Sequence, residues 1–251
     1  MPSRLLLIAS AGFSAPQAAA VPEWLASTLA SVWSDAALAA HAAAAAQAEL
    51  AAQLLRLGAP APLLLGSGRA LLDENALAAA CLELARHHGA TDLRLTAVPR
   101  RTESSESDRG ELVLSTLRRA CIAATVESAC AREALEHCHD PEARSVLLQM
   151  QHVRARSAQL GWRFLGWALR DTGPTLTDQV RVLVLTALDS APPPRALSAR
   201  ERLLLRHGVL AEGQRRTIEQ RVLRDIVLPC MENALARAAS KSAHDGDGNA
   251  A

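Results

Sequence analysis

The chain has 251 residues, room for one large domain or two small ones. Hydrophobic residues make up 49% of it, yet aromatics are only 2% and Tyr is absent. The bulk is Ala and Leu, both strong helix formers, so an all-α protein is expected and a β-rich one is not. A net charge of +1 gives no global attraction for nucleic acid or for an anionic membrane. No apolar run reaches the roughly 18 residues of a transmembrane helix.

The first residues, Met1 to Arg4, are followed by the apolar Leu5 to Phe13 and by Ala18-Ala19-Ala20. Residues 1–20 have the outline of a short signal peptide with a small-residue cleavage site. The other reading is an N-terminal arm, residues 1–32, on a cytoplasmic protein. The single early Arg and Pro16 argue for the arm. Asp35 to Leu57 reads as the first firm helix, ended by Gly58, Pro60 and Pro62. Ala70 to His88 reads as the second, with Gly89 as its natural stop. Ala90 to Gly110 is the longest connection, and its stretch from Arg100 to Arg109 is polar and charged. A loop this long needs a task. Its reach, up to ~70 Å, is enough to run back along a bundle. That makes helices two and three parallel, joined by one long crossover.

Glu111 to His139 is the third helix. Asp140 to Asp171 carries the strongest local signals in the chain. Asp140 can cap the first free amides, Pro141 sits where a missing N–H costs nothing, and Gly173-Pro174 stops the run. Counted from Pro141, it is a helix of about 31 residues, roughly 46 Å long. Thr177 to Leu188 is a shorter helix. Pro192-Pro193-Pro194 is a stiff break, and Ser198 with Glu201 forms a capping box for a helix to about His207. Gln214 to Ala239 is the last helix, with a kink expected at Pro229. The domain reading is therefore a bundle over 33–173, a helical extension over 174–239, and a polar, disordered tail over 240–251.

Five Cys residues, Cys81, Cys121, Cys130, Cys138 and Cys230, are scattered along apolar helices and read as buried free thiols. No Cys-x-x-Cys, Gly-x-Ser-x-Gly, P-loop or Gly-x-Gly-x-x-Gly occurs.

The order of these pieces resembles a family of bacterial ferritin-like proteins. The matching segments are Leu55-Arg56-Leu57-Gly58-Ala59-Pro60, then Leu72-Asp73-Glu74 and the stretch Glu127 to Glu133. Asp140-Pro141, Leu160-Gly161-Trp162-Arg163-Phe164, His207-Gly208 and Ile226 to Cys230 follow. The resemblance covers roughly Trp33 to Arg237. It implies a ferritin-like four-helix bundle with additional C-terminal helices. It also implies a dinuclear metal centre built from one Glu on each of two helices and a Glu-x-x-His on each of the others.

Carried over residue by residue, that centre is broken. The ligand positions fall on Ala40, Leu77, Arg154 and Ser157; Glu74, Glu127 and Glu133 are the remnant carboxylates, with Glu127 and Glu133 competing for one place. Arg154 either faces the old metal cavity and pairs with the remaining carboxylates, or turns to solvent. The resemblance thus suggests a non-catalytic scaffold or protein partner, without a metal cofactor and prone to self-association. The alternative is an oxidase or oxygenase with an altered or relocated iron or manganese site. A relocated site could draw on Glu133, Glu136, His137, Cys138 and His139, with His87 and His88 nearby, a set also suited to zinc or copper. Helix-end imidazoles interacting with the backbone dipole are the plainer reading of the same cluster.

Overall fold

The computed structural model describes residues 22–91, 94–95, 109–170, 173–188, 193 and 195–247. Helices and the turns between them make up these residues, with no strand among them. They form seven continuous helices. They are α1 (Glu23–Arg56), α2 (Ala61–His87), α3 (109–137), α4 (Pro141–Ala168), α5 (Pro174–Ala187), α6 (Ala199–Arg206) and α7 (212–247). The possible signal segment and most of the long connection after α2 lie outside the described residues.

α1 begins at Glu23, well before the start suggested at Asp35, so residues from 23 to 32 are not part of an arm. The reason is an apolar stripe at helical spacing. Leu25, Leu29, Trp33, Ala37, Ala40 and Ala44 are all buried and hold the early turns in the core. α2 likewise begins at Ala61 rather than Ala70, because Pro62 falls in its first turn, where no amide partner is needed. Asp140 caps α4 as its sequence indicates, its Oδ1 accepting from the amides of Glu142 at 3.0 Å and Ala143 at 3.1 Å. Ser198 and Glu201 form the reciprocal capping box of α6.

Two helices are not uniformly α. α3 carries a π segment at Leu117–Ala124, and α7 carries one at Leu223–Val227. The second lies just ahead of Pro229, the position of the expected kink, whose ring cannot accept an ordinary α turn. α7 then continues to Asp247, past the point where the sequence loses its helical pattern.

Pairwise contacts fix the helix directions. α1 and α2 form a tight antiparallel hairpin, with the Ser67 hydroxyl donating to the Gln47 carbonyl at 2.8 Å. On α2 and α4, Asp73 meets Arg156, Glu74 meets Arg154, and His87 meets Glu142, so these helices are antiparallel. α3 is antiparallel to α4: Ser128 bonds Gln151 near the middle and Arg109 lies over Trp167 at the far end. Gly161 allows the closest approach, since a Cβ there would sit 2.6 Å from that of Ala120 in the π segment. Both α2 and α3 therefore run opposite to α4.

The buried apolar side chains divide into two clusters. One holds Leu54, Leu63, Ala70, Leu117, Leu160 and Phe164, and α5 and α7 pack on it through Val180, Val184, Val227 and Met231. The other holds Leu25, Trp33, Ala40, Leu77, Leu147 and Val153, and the region of α6 packs on it through Leu203, Leu204 and Val209. Along α2 the division falls between Ala70 and Leu77, and along α4 between Val153 and Leu160. Polar side chains occupy that gap.

Candidate functional site

The gap between the clusters holds Glu74, Arg154 and Ser157. Glu74 is 1% exposed and Arg154 is 7% exposed, both among the few charged side chains in the core. Glu74 Oε1 accepts from Arg154 Nη1 at 2.7 Å and from the Ser157 hydroxyl at 3.2 Å. Arg154 and Ser157 share one face of α4 because they are three residues apart. Arg154 Nε lies 2.7 Å from Glu127 Oε2 on α3, an ion pair without good hydrogen-bond alignment. Glu127 is 38% exposed and carries the network to the surface. One guanidinium thus bridges two carboxylates on two other helices. Just outside, Arg156 Nε donates to Asp73 at 3.0 Å, repeating the α2–α4 pairing in a wetter setting.

Electrostatics follow from burial. Loss of water pushes the Glu74 carboxyl above the usual glutamate range, more than the Arg154 charge and the Ser157 hydroxyl draw it down. Its second oxygen is buried without a hydrogen-bond partner. Cys81, two turns along α2, is pushed up to about 12 by burial, which leaves it an unreactive thiol.

The structure thus turns Arg154 inward rather than to solvent. It brings Glu74 and Glu127 to that Arg and leaves Glu133 out. Glu133 instead lies 3.7 Å from His137 and 3.6 Å from Arg221 of α7. Helical geometry explains the choice. Glu127 precedes Ala131 and Ala134 on the stripe buried in the bundle, whereas Glu133 follows Cys130 on the face toward α7.

These residues do not fit a dinuclear metal centre. Ala40 and Leu77, each 0% exposed, put methyl and isobutyl groups where the resemblance asks for donors. The guanidinium already occupies the space between the two carboxylates and brings a single positive charge there.

The helix-end set is drawn apart differently. His87 and His139 line one open cleft of about 560 Å³ with Asp140, Glu142, Arg206 and His207. His137 turns away to Glu133, and the Cys138 thiol is buried against the Asp140 carbonyl at 3.6 Å. His207 belongs to this cleft, though the sequence offers it only as part of a His-Gly pair. Gly208 makes the placement possible: its φ is +83°, and an added Cβ would meet Leu147 at 2.7 Å. Among the described residues, no three His, Cys, Asp or Glu side chains are placed to hold a metal ion. No helix among them is long and apolar enough to cross a membrane.

No protein-family model, curated protein or solved structure matches this chain.

Proposed function

We propose that this chain is a ferritin-like bundle whose dinuclear centre has been replaced by an internal Arg–carboxylate bridge, and that it acts without catalysis as a scaffold or protein partner. The observation that carries the reading is Arg154 seated between Glu74 and Glu127, at 2.7 Å from each. A guanidinium bridges two carboxylates as a metal would, but it brings a single positive charge and offers no open coordination position for dioxygen or substrate. The helix directions agree with the reading, because α2 and α3 both oppose α4 and call for a long crossover. A scaffold needs surface to offer, and the C-terminal helices expose Val182, Leu185 and Ile226. These exposed apolar side chains support a reading of self-association through α5 and α7.

Metal analysis of protein purified without chelator tests the proposal. Sub-stoichiometric metal is expected, and stoichiometric iron or manganese would favour an oxidase or oxygenase with an altered site. Reversal supplies the complementary test. Replacing Arg154→Glu and Ser157→His, with Leu77→His and Ala40→Glu, should restore iron or manganese binding if the cavity retains the dinuclear geometry.

A further inference from the structure

The inner face of α2 carries Leu63, Ser67, Ala70, Glu74, Leu77 and Cys81 into the bundle, where α1 and α4 pack beside them. A surface helix of this kind ordinarily turns a polar face to water. α2 does not. Its outer face exposes Leu65, Arg69, Leu72, Ala76, Ala79 and Glu83. The steps between them alternate between four and three, the spacing of a coiled-coil seam, so all six share one narrow stripe.

Leu65 is 74% exposed and Leu72 is 69% exposed, more than any other large apolar side chain among the described residues. Two leucines two turns apart on one stripe form a patch, whereas scattered single ones need no explanation. The surface beside them is open and low. Gly68 borders the stripe, and a Cβ added there would meet nothing within 4 Å. Ala76 and Ala79 add only methyl groups, so a second helix can approach closely.

The charges indicate which helix that is. Arg69 and Glu83 are two heptads apart, about 21 Å along the axis, too far to reach one another. Neither has an ion-pair partner among the described residues. A second copy of α2 can lie antiparallel on the first, with Leu72 of each copy on Ala76 of the other. Arg69 then lies on the second copy's Ala79, one turn from the second copy's Glu83. The twofold axis repeats the contact and gives two Arg–Glu pairs. A parallel arrangement would set Arg69 against Arg69 and Glu83 against Glu83. An antiparallel register with Leu65 on Leu72 would also bring the two Arg69 side chains together. The register that joins unlike charges is also the one that overlaps α2 along all its 27 residues, about 40 Å.

We propose that the outer face of α2 is a homodimer interface. Two copies of the chain pair through antiparallel α2 helices, with Leu65, Leu72, Ala76 and Ala79 in the seam and Arg69 of each chain paired with Glu83 of the other. The seam lies on the opposite side of α2 from Glu74 and shares no residue with the apolar face of α5 and α7, so its failure would leave the reading of the Glu74–Arg154 bridge untouched.

Sedimentation equilibrium of the full chain reads the interface, and a mass of twice 26.6 kDa is expected. Leu65→Glu and Leu72→Glu alter side chains already exposed in the single chain, so far-ultraviolet circular dichroism should be unchanged. Each should weaken dimerisation roughly tenfold or more. Arg69→Glu alone and Glu83→Arg alone should each weaken it about five- to tenfold. An equimolar mixture of those two variants should recover a dimer of near wild-type affinity holding one chain of each, because both contacts then join unlike charges. Val182→Glu with Leu185→Glu, on α5, should leave the α2 dimer in place. A chain that stays monomeric at about 100 µM would overturn the interface. So would a dimer that survives Leu72→Glu at wild-type affinity but is lost in the α5 variant, or charge variants that do not recover on mixing.

Discussion

Glu74 in the middle of the bundle and Asp140 at its end are both carboxylates that face a nitrogen-bearing side chain, Arg154 and His207, yet they respond to their surroundings in opposite directions. Burial opposes ionisation at both. At Glu74 it wins, and the carboxyl is held above its ordinary range despite Arg154 and Ser157. At Asp140 it loses, because the Ala143 amide, His207 and the Glu142 amide together hold the carboxyl below its ordinary range. The difference lies in the donors. Asp140 has two backbone amides aligned by the start of α4, and an amide costs little to bring because the helix leaves it free anyway. Glu74 has only side-chain donors, which themselves had to be desolvated, and one of its oxygens has none. A charge at a helix start is stabilised by the backbone; a charge in mid-bundle depends on another buried charge.

That dependence sets the largest expected effect. Arg154→Met leaves Glu74 buried beside an unpaired network and should cost about 3–5 kcal/mol, read as a fall in denaturant midpoint at constant slope. The double replacement Glu74→Met with Arg154→Met should recover most of that loss, because apolar side chains of similar volume can join the two clusters on either side. Failure of the double variant to recover would mean that the bridge positions the helices rather than merely satisfying itself. Next in size is the cap: Asp140→Ala should cost about 1 kcal/mol.

The two carboxyls also differ in the sign of their pH dependence. Asp140 has a depressed folded value, so its contribution is present above the unfolded aspartate range and is lost as pH falls through the folded value. Glu74 has a raised folded value, so the folded state holds its proton more tightly than the unfolded chain does. Its contribution to stability declines as pH rises from the ordinary glutamate range through the raised value, and stays at the lower level beyond. Thermal unfolding across pH should therefore show a rising limb reduced in Asp140→Asn and a falling limb removed in Glu74→Gln. A wild-type falling limb in Glu74→Gln would place the proton elsewhere.

What the sequence made legible follows the same division between local and long-range causes. The cap at Asp140, the box at Ser198 and Glu201, and Pro141 as the first helical residue depend on neighbours a few positions away, and each could be read directly. Arg154 could be suspected because it stands where the resemblance asks for a ligand. Its inward direction needed the packing of α2, α3 and α4. The start of α1 was hidden because Leu25, Leu29 and Trp33 form a short stripe that follows Pro22 and is flanked by small residues, and only the tertiary core shows them buried. The choice between Glu127 and Glu133 was hidden because it is made by partners far along the chain, Arg154 for the first and Arg221 for the second. His207 was hidden by distance: α6 reaches the α3–α4 elbow through contacts about 67 positions apart in the chain.

The smallest effect belongs to the glutamate left outside the bridge. Glu133 and Arg221 are 3.6 Å apart, but their side chains are 32% and 53% exposed, so water and salt screen most of their attraction. Glu133→Ala should change stability by no more than about 1 kcal/mol, and the change should shrink further at high ionic strength. Glu127→Ala should cost more, because it removes one of the two carboxylates that balance Arg154, although its own exposure limits the loss. Measured side by side, the two substitutions separate position from residue type: both remove a glutamate from the same turns of α3, and only one touches the buried guanidinium. Equal costs would mean that Glu127 is screened as fully as Glu133, and that Glu74 alone holds Arg154 inside the bundle.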